Sequence, residues 1–233
     1  MEHLRKELER LLGALPDAEQ IRSRLITLVS VYPFNEYEFI ISHLLTGGAL
    51  SLEQYLELRD DYIARNMYLY IFEIGAPRTF GESWAQGHLK ELVPELVKST
   101  RRLDPDYSGQ YDFLLDGKIR VEVKASRGVD ADIEAPLYVK ALSSDSAKPF
   151  WMNFQQIKPA CCDVVVWIAV WRDVIWYWVL SSLEVETNPY YGQHRGNVGE
   201  GQMHVTHENI RAFDPYRVQS NRLAEALREA YRR

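Results

Sequence analysis

Two apolar runs, Asp163 to Trp171 and Val174 to Ser181, are separated only by Arg172-Asp173 and are rich in Val, Ile and Trp. Such residues in near-continuous series suit strands covered on both faces, and so short a break returns the chain against itself. The pair commits the protein to a buried sheet, and the rest of the sequence must supply the layers that cover it. Val164 to Trp171, the longest strongly apolar stretch, falls far short of the ~20 residues that cross a bilayer as a helix.

A second strand signal lies upstream. Tyr111-Asp112-Phe113-Leu114-Leu115 is followed by Asp116-Gly117 and then by Lys118-Ile119-Arg120-Val121-Glu122-Val123-Lys124. An Asp-Gly pair between β-prone runs predicts a hairpin, because both turn positions favour positive φ. In its second strand Ile119, Val121 and Val123 alternate with Arg120, Glu122 and Lys124, so the charged side chains share one face.

The first hundred residues read as helices. Leu4, Leu8, Leu11, Leu12 and Leu15 recur at helical spacing until Pro16-Asp17, and Asp17 with Gln20 suits the cap of a second helix carrying Ile21, Leu25, Leu28 and Val29. Asn35 to Leu45 is a third, ended by Gly47-Gly48. Ser51 with Gln54 opens a fourth toward Phe72, expected to bury Leu52, Tyr55, Leu56, Tyr62 and Ile63. Thr79 with Glu82 opens a fifth that kinks or restarts at Pro94.

Ser143 to Pro159 is expected to hold a helix capped by Ser146 and carrying Phe150, Phe154 and Ile157, giving the order hairpin, helix, strand pair. Beyond a Gly-, Asn- and His-rich loop near residues 188 to 201, Gln202 to Thr206 forms one more strand and Asn221 to Arg233 a terminal helix. The division expected is a helical region over 1–75 and an α/β domain over 76–233 with its C-terminal helix.

The hairpin concentrates chemistry. Folding it brings Asp112 near Glu122, so two carboxylates and the Lys124 ammonium converge at a sheet end. Oxygen ligands of this kind suit Mg²⁺, which keeps several waters and needs only one or two carboxylates. Carboxylate-bound Mg²⁺ can neutralise a phosphodiester and activate water, while Lys124 positions the nucleophile or stabilises developing charge.

These residues resemble the PD-(D/E)XK nuclease superfamily, and within it the type II restriction endonucleases. The resemblance rests on Asp112, Glu122 and Lys124, the hairpin between them and the helix and strands that follow, over roughly residues 78 to 210. It implies a restriction-endonuclease-like α/β core, a mixed central sheet flanked by helices, here preceded by the helical N-terminal region. It further implies Mg²⁺ held by Asp112 and Glu122, attack assisted by Lys124, and double-stranded DNA as substrate. A homodimer matches a palindromic site cut on both strands. Tyr111 stands where the family often has Pro; Pro105-Asp106 offers a literal Pro-Asp in an apparent loop, leaving Asp106 as the alternative ligand.

Supporting candidates follow from the same resemblance. Glu82 matches an additional acid from a preceding helix, though Thr79-x-x-Glu82 is also a capping box. Gln155 and Gln156 match polar residues that some members place beside the site, and Lys158 is a candidate phosphate contact, with a solvated helix face as the plain alternative for all three. Asn188, Tyr190, Tyr191, Gln193, His194, Arg195 and Asn197 have the composition of a groove-reading loop, or of an ordinary hydrophilic one.

Other features point to packing. His204-x-x-His207-Glu208 lacks the helical i, i+4 spacing of zinc hydrolases, and Gly196-x-x-Gly199-x-Gly201 lacks the Gly-Lys-Ser/Thr ending of a phosphate loop. Trp167, Trp171, Trp176 and Trp178 are expected in the core, and the adjacent Cys161 and Cys162 suit buried thiols in a reducing setting. The balance of 27 Lys+Arg against 33 Asp+Glu gives a formal charge of -6, so any affinity for nucleic acid must be local. The arginines of residues 211–233 outnumber Asp214, Glu225 and Glu229 by three and suit phosphate contact or an ordinary solvated helix. With no signal-peptide pattern visible, a soluble cytoplasmic protein is expected. Two other readings remain: a repair or recombination nuclease of the same fold that recognises DNA structure, and a non-catalytic DNA-binding or assembly protein.

Overall fold

The computed structural model describes residues 2–27, 33–193 and 199–233. The chain forms two compact units, Met1–Asn66 and Met67–Arg233.

The first unit is helical: α1 (Glu2–Gly13), α2 (Ala18–Thr27), α3 (Pro33–Thr46) and α4 (Leu52–Arg65). Leu8 and Leu11 of α1 pack with Ile40 and Leu44 of α3 and with Leu50. Gly48, at φ +71°, closes α3 in the left-handed region. The Asp17 carboxylate lies 3.2 Å from His43 Nε2, while its carbonyl accepts from the Gln20 and Ile21 amides. Ser51 and Gln54 form the expected reciprocal cap of α4.

The remainder of the α4 expectation holds only for Tyr55 and Tyr62. The helix stops at Arg65 and is followed by a separate 3₁₀ segment, Leu69–Glu73, instead of continuing to Phe72. Its core-facing stripe is Tyr55, Leu58 and Tyr62, whereas Leu52, Leu56 and Ile63 occupy another stripe and are exposed. Two apolar stripes compete on this helix, and within its unit only one finds neighbours.

The second unit is α/β. A wide π-type turn, Thr79–Ala85, runs into α5 (Gln86–Leu92), which ends before Pro94. Thr79 makes no capping bond; the Glu82 carboxylate instead accepts from Arg78 Nε at 2.9 Å, so the capping-box reading is replaced by an ion pair. Then follow β1 (Val97–Lys98), β2 (Phe113–Leu115), β3 (Ile119–Arg127), β4 (Val129–Asp130), β5 (Phe150–Ile157), β6 (Val164–Val170) and β7 (Ile175–Ser181). The chain ends with α6 (Ser182–Glu186), β8 (Tyr191–Gln193), β9 (Gly201–Thr206), β10 (Arg217–Val218) and α7 (Leu223–Ala230).

The large sheet has the order β1-β2-β3-β6-β7-β10, and the small sheet β4-β5-β9-β8. In the large sheet β3 and β6 run parallel, with Glu122 opposite Val165 and Lys124 opposite Trp167; the other pairs are antiparallel. Asp116 (φ 53°) and Gly117 (φ 68°) make the expected turn between β2 and β3, where the Lys118 amide donates to Leu115 O. Asp163 locks β3 against β6, its carboxylate accepting from the Arg120 amide and guanidinium.

β6 is buried along its whole length, as its lack of alternation requires. Val164, Val166, Ile168 and Val170 face the layer of α5 and α7, where Leu89, Leu223 and Leu227 are buried. Val165, Trp167, Ala169 and the adjoining Trp171 face the small sheet through Met152, Phe154, Met203 and Val205. The layers are therefore helices, large sheet, small sheet, with Trp167, Trp171 and Trp178 in the core as expected.

The segment expected to be a helix between Ser143 and Pro159 is instead β5. Phe150, Met152 and Phe154 are buried and Trp151 and Gln155 are exposed, so period two wins over the i, i+4, i+7 spacing that Phe150, Phe154 and Ile157 also satisfy. The parallel step from β3 to β6 consequently travels through a strand of the small sheet. Cys162 is buried beneath this step and Cys161 half-buried, both as free thiols. No helix among the described residues is long and apolar enough to cross a membrane.

Candidate active site

The β2–β3 hairpin sets the site. Asp112 directly precedes β2, and its amide donates to Val121 O, continuing the ladder by one residue. Asp112 Oδ2 accepts from the Val123 amide at 2.8 Å, so the strand carrying Glu122 also fixes the opposing carboxylate. Lys124 Nζ lies 2.5 Å from Glu122 Oε1, and the Glu122 side chain is only 9% exposed.

Helix α5 completes the clamp. Gln86 donates through Nε2 to Asp112 Oδ1 and accepts from Lys98 Nζ through Oε1, linking the helix, edge strand β1 and hairpin. Stacked rings hold the helix on the sheet: Phe80 on Trp84 at 5.3 Å, Trp84 on His88 at 5.2 Å, and His88 on Tyr177 at 5.9 Å, with His88 Nε2 2.7 Å from the Tyr177 hydroxyl. Gln86 lies four residues beyond Glu82, a spacing that presents both on one helix side.

Burial dominates the electrostatics. It raises the Glu122 carboxyl to about 7 against the pull of Lys124, and the negative charge of Asp112 pushes the same way. Asp112 is raised too, first by burial and also by Glu82, although the Val123 amide, Lys124 and Lys98 favour its ionised form. Tyr107 shares this field, its phenol raised by burial, Asp112 and Glu122.

An open cleft of about 780 Å³ runs over these groups. It is lined by Asp112, Glu122, Lys124, Glu82, Gln155, Gln156 and Lys158, so seven of the residues singled out from the sequence meet along one surface. Gln155 and Gln156 reach it from β5, not from a helix. A bulge between Phe154 and Ile157, with Gln156 at φ 56°, leaves two consecutive glutamines outside and returns Ile157 to the core. Lys158, the candidate phosphate contact, follows this strand half-buried, not a helix, and pairs with Glu200 at 2.9 Å.

The remaining candidates lie elsewhere. Asp106 is exposed and does not line the cleft; the buried Tyr111 binds the same loop by donating its hydroxyl to Asp104 at 2.6 Å. Asn188, Tyr191 and Gln193 do not line the cleft, and the Asn188 side chain accepts from the Tyr190 amide. His194, Arg195 and Asn197 lie outside the described residues. Three C-terminal arginines pair internally, Arg222 with Glu225, Arg228 with Asp116 and Arg233 with Glu184.

Sequence reasoning missed Gln86, Lys98, Arg127, Trp151, Asn153 and Glu200. Gln86 had a signal in its spacing from Glu82; the others depended on where β1, β5 and the β8–β9 connection fall. Arg127 stacks its guanidinium 3.7 Å from the Phe80 ring centre and donates to Ile74 O, and burial lowers it to about 10.

Among the described residues, no three His, Cys, Asp or Glu side chains form a group that could hold a metal ion. Asp112 and Glu122 are a two-carboxylate, all-oxygen donor set in which burial disfavours ionisation of both, and the charge of a divalent cation held by them would oppose that. Each Asp112 oxygen accepts one hydrogen bond and retains acceptor capacity. The donor chemistry fits Mg²⁺ with several retained waters. No protein-family model matches the chain, and no curated protein sequence matches it.

Proposed function

We propose that the protein is a Mg²⁺-dependent endonuclease of the PD-(D/E)XK type that cleaves double-stranded DNA at a short specific sequence as a homodimer, in the manner of type II restriction enzymes. The observation that carries this reading is the buried Glu122 carboxylate with the Lys124 ammonium 2.5 Å away and the half-buried Asp112 lining the same open cleft. The parallel β3–β6 step through β5 replaces the helix expected between Ser143 and Pro159, one of the elements on which the resemblance rests, and leaves the hairpin intact.

In this reading Asp112 and Glu122 hold Mg²⁺, which supplies charge neutralisation and an activated water at the phosphodiester. Gln86 and the Val123 amide fix the Asp112 carboxylate, so its orientation is set before substrate arrives. Lys124 orients the nucleophile and stabilises charge on the phosphoryl oxygens. Lys158 and Arg127 line the same cleft and serve as phosphate contacts, with Glu82 supporting the acidic end.

The test is incubation of unmethylated phage DNA with the purified protein in Mg²⁺ or in EDTA, beside Glu122→Ala and Lys124→Ala. Discrete Mg²⁺-dependent fragments are expected, reduced at least about 10³-fold in both variants. A Mg²⁺-dependent smear indicates a nuclease without sequence preference. Intact DNA, or fragments unchanged in both variants, overturns the assignment.

A further inference from the structure

β5 passes from the core to the cleft with a regular alternation. Met152 and Phe154 are buried in the layer between the sheets, while Trp151, Asn153 and Gln155 point the other way and line the cleft. Trp151 is 42% exposed and presents an aromatic face to the cleft. Its ring meets His204 of β9 at 4.3 Å between centroids.

The register sets Asn153 directly opposite His204. Asn153 Oδ1 and His204 Nε2 are both buried and have no hydrogen-bond partner among the described residues. Both residues are partly exposed, although these two atoms are not. The pair is also tied to the catalytic strand, because the Asn153 amide donates to Ser126 Oγ at 2.9 Å, two residues beyond Lys124.

The chemistry of this face differs from that of the cleft floor. Trp151, Asn153 and Gln155 carry no charge, and burial lowers the His204 imidazole, favouring its neutral form. Cations suit phosphates, whereas neutral amides and imidazole suit base edges: Asn and Gln pair with adenine N6 and N7, and an aromatic ring packs on a thymine methyl or an opened base step. Trp151 to Gln155 spans about 13 Å along a strand, close to the length of four base-pair steps.

We propose that the outward face of the small sheet, Trp151, Asn153 and Gln155 of β5 with His204 of β9, reads the bases of the DNA whose phosphate lies at Asp112 and Glu122. This rests on the nuclease reading and assigns sequence recognition to a strand face in place of the 188–197 loop. Of the loop's described candidates, Asn188, Tyr191 and Gln193 stand off the cleft, and the Tyr191 ring covers Gly201, where an added Cβ would fall 2.1 Å from it.

The experiment sequences the ends produced from a random-sequence duplex library in Mg²⁺ by the parent protein, Asn153→Ala, Gln155→Ala, and the loop pair Asn188→Ala and Gln193→Ala. The expected result is one short sequence for the parent, discrimination relaxed by about 10- to 100-fold at one or two positions in each β5 variant, and unchanged preference in the loop variants. Gln155 is exposed, so its variant tests recognition without disturbing the core. Relaxation in the loop variants alone, or cleavage by the parent without sequence preference, overturns the inference while the nuclease stands. Absence of Mg²⁺-dependent cleavage by the parent removes both.

Discussion

The carboxyl of Glu122 lies inside the protein with Lys124 at 2.5 Å and Asp112 across the hairpin, and burial outweighs the ammonium in setting its charge. Its folded-state value is raised from 4.5 to about 7. The protonated form therefore stabilises the fold fully below the unfolded value, and that contribution disappears as pH rises through the folded value. Glu122→Gln is expected to be more stable than the parent at pH 8 by roughly 1–3 kcal/mol and nearly equal at pH 4, in urea unfolding without divalent ions. A parent at least as stable at pH 8 would show that Lys124 fully offsets the burial. Gln86 holds the Asp112 carboxylate and, on the proposed reading, acts through it. Gln86→Ala should raise the Mg²⁺ concentration needed for half-maximal cleavage by about 10-fold or more, as lost orienting partners of metal ligands do. A fall in maximal rate at an unchanged Mg²⁺ requirement would contradict that role.

Elements position these residues through a few corners. Gly128 lies where β3 leaves the large sheet and β4 enters the small one, its amide donating to Val170 O. A Cβ there would fall 2.3 Å from two carbons of the Trp171 ring, itself buried against Phe150. Gly128→Ala should cost about 1–3 kcal/mol in thermal or urea unfolding; a neutral effect would show that Trp171 has room to move. A second corner is the α6 cap. Burial tends to raise the Glu184 carboxyl, but the Ser181 amide and hydroxyl and Arg233 together hold it below its ordinary value. Its contribution is present above the unfolded Glu value and lost as pH falls through the depressed one. Glu184→Gln is thus expected to destabilise at pH 7 and converge on the parent in acid. The elements legible from sequence were those with local instructions: Asp116-Gly117 for the hairpin, the unbroken apolar runs for β6 and β7, and Ser51 with Gln54 for the α4 cap. β5 was not legible as a strand, because Phe150, Phe154 and Ile157 fit a helix while Phe150, Met152 and Phe154 fit a strand. Only tertiary neighbours, Ser126 on one side and His204 on the other, decide between them. The Asp112–Glu122–Lys124 cluster was legible because one hairpin carries all three, whereas Gln86, Lys98 and Asn153 arrive from separate elements.

At the scale of the molecule, the difficulty is charge. The chain carries a formal -6, and the cleft itself is lined by four acids, Glu82, Asp112, Glu122 and Glu200, and four bases, Arg78, Lys124, Arg127 and Lys158. Three of those bases already pair with three of the acids, at 2.9 Å for Arg78–Glu82, 2.5 Å for Lys124–Glu122 and 2.9 Å for Lys158–Glu200. The cleft thus offers a polyanion little net attraction until a divalent cation adds two charges at Asp112 and Glu122. DNA affinity should accordingly be weak in EDTA and rise by about 10- to 100-fold in Ca²⁺, which suits the same oxygen ligands. Glu122→Gln removes an acid without metal and should strengthen binding in EDTA while blunting the response to Ca²⁺. With only a few cleft cations able to meet phosphates, the plot of log affinity against log salt in Ca²⁺ should have a shallow slope of about -3 per chain. Equal affinity in EDTA and Ca²⁺ with a much steeper slope would move the DNA off this cleft and onto another basic surface, and the Asp112–Glu122 pair would lose its proposed substrate.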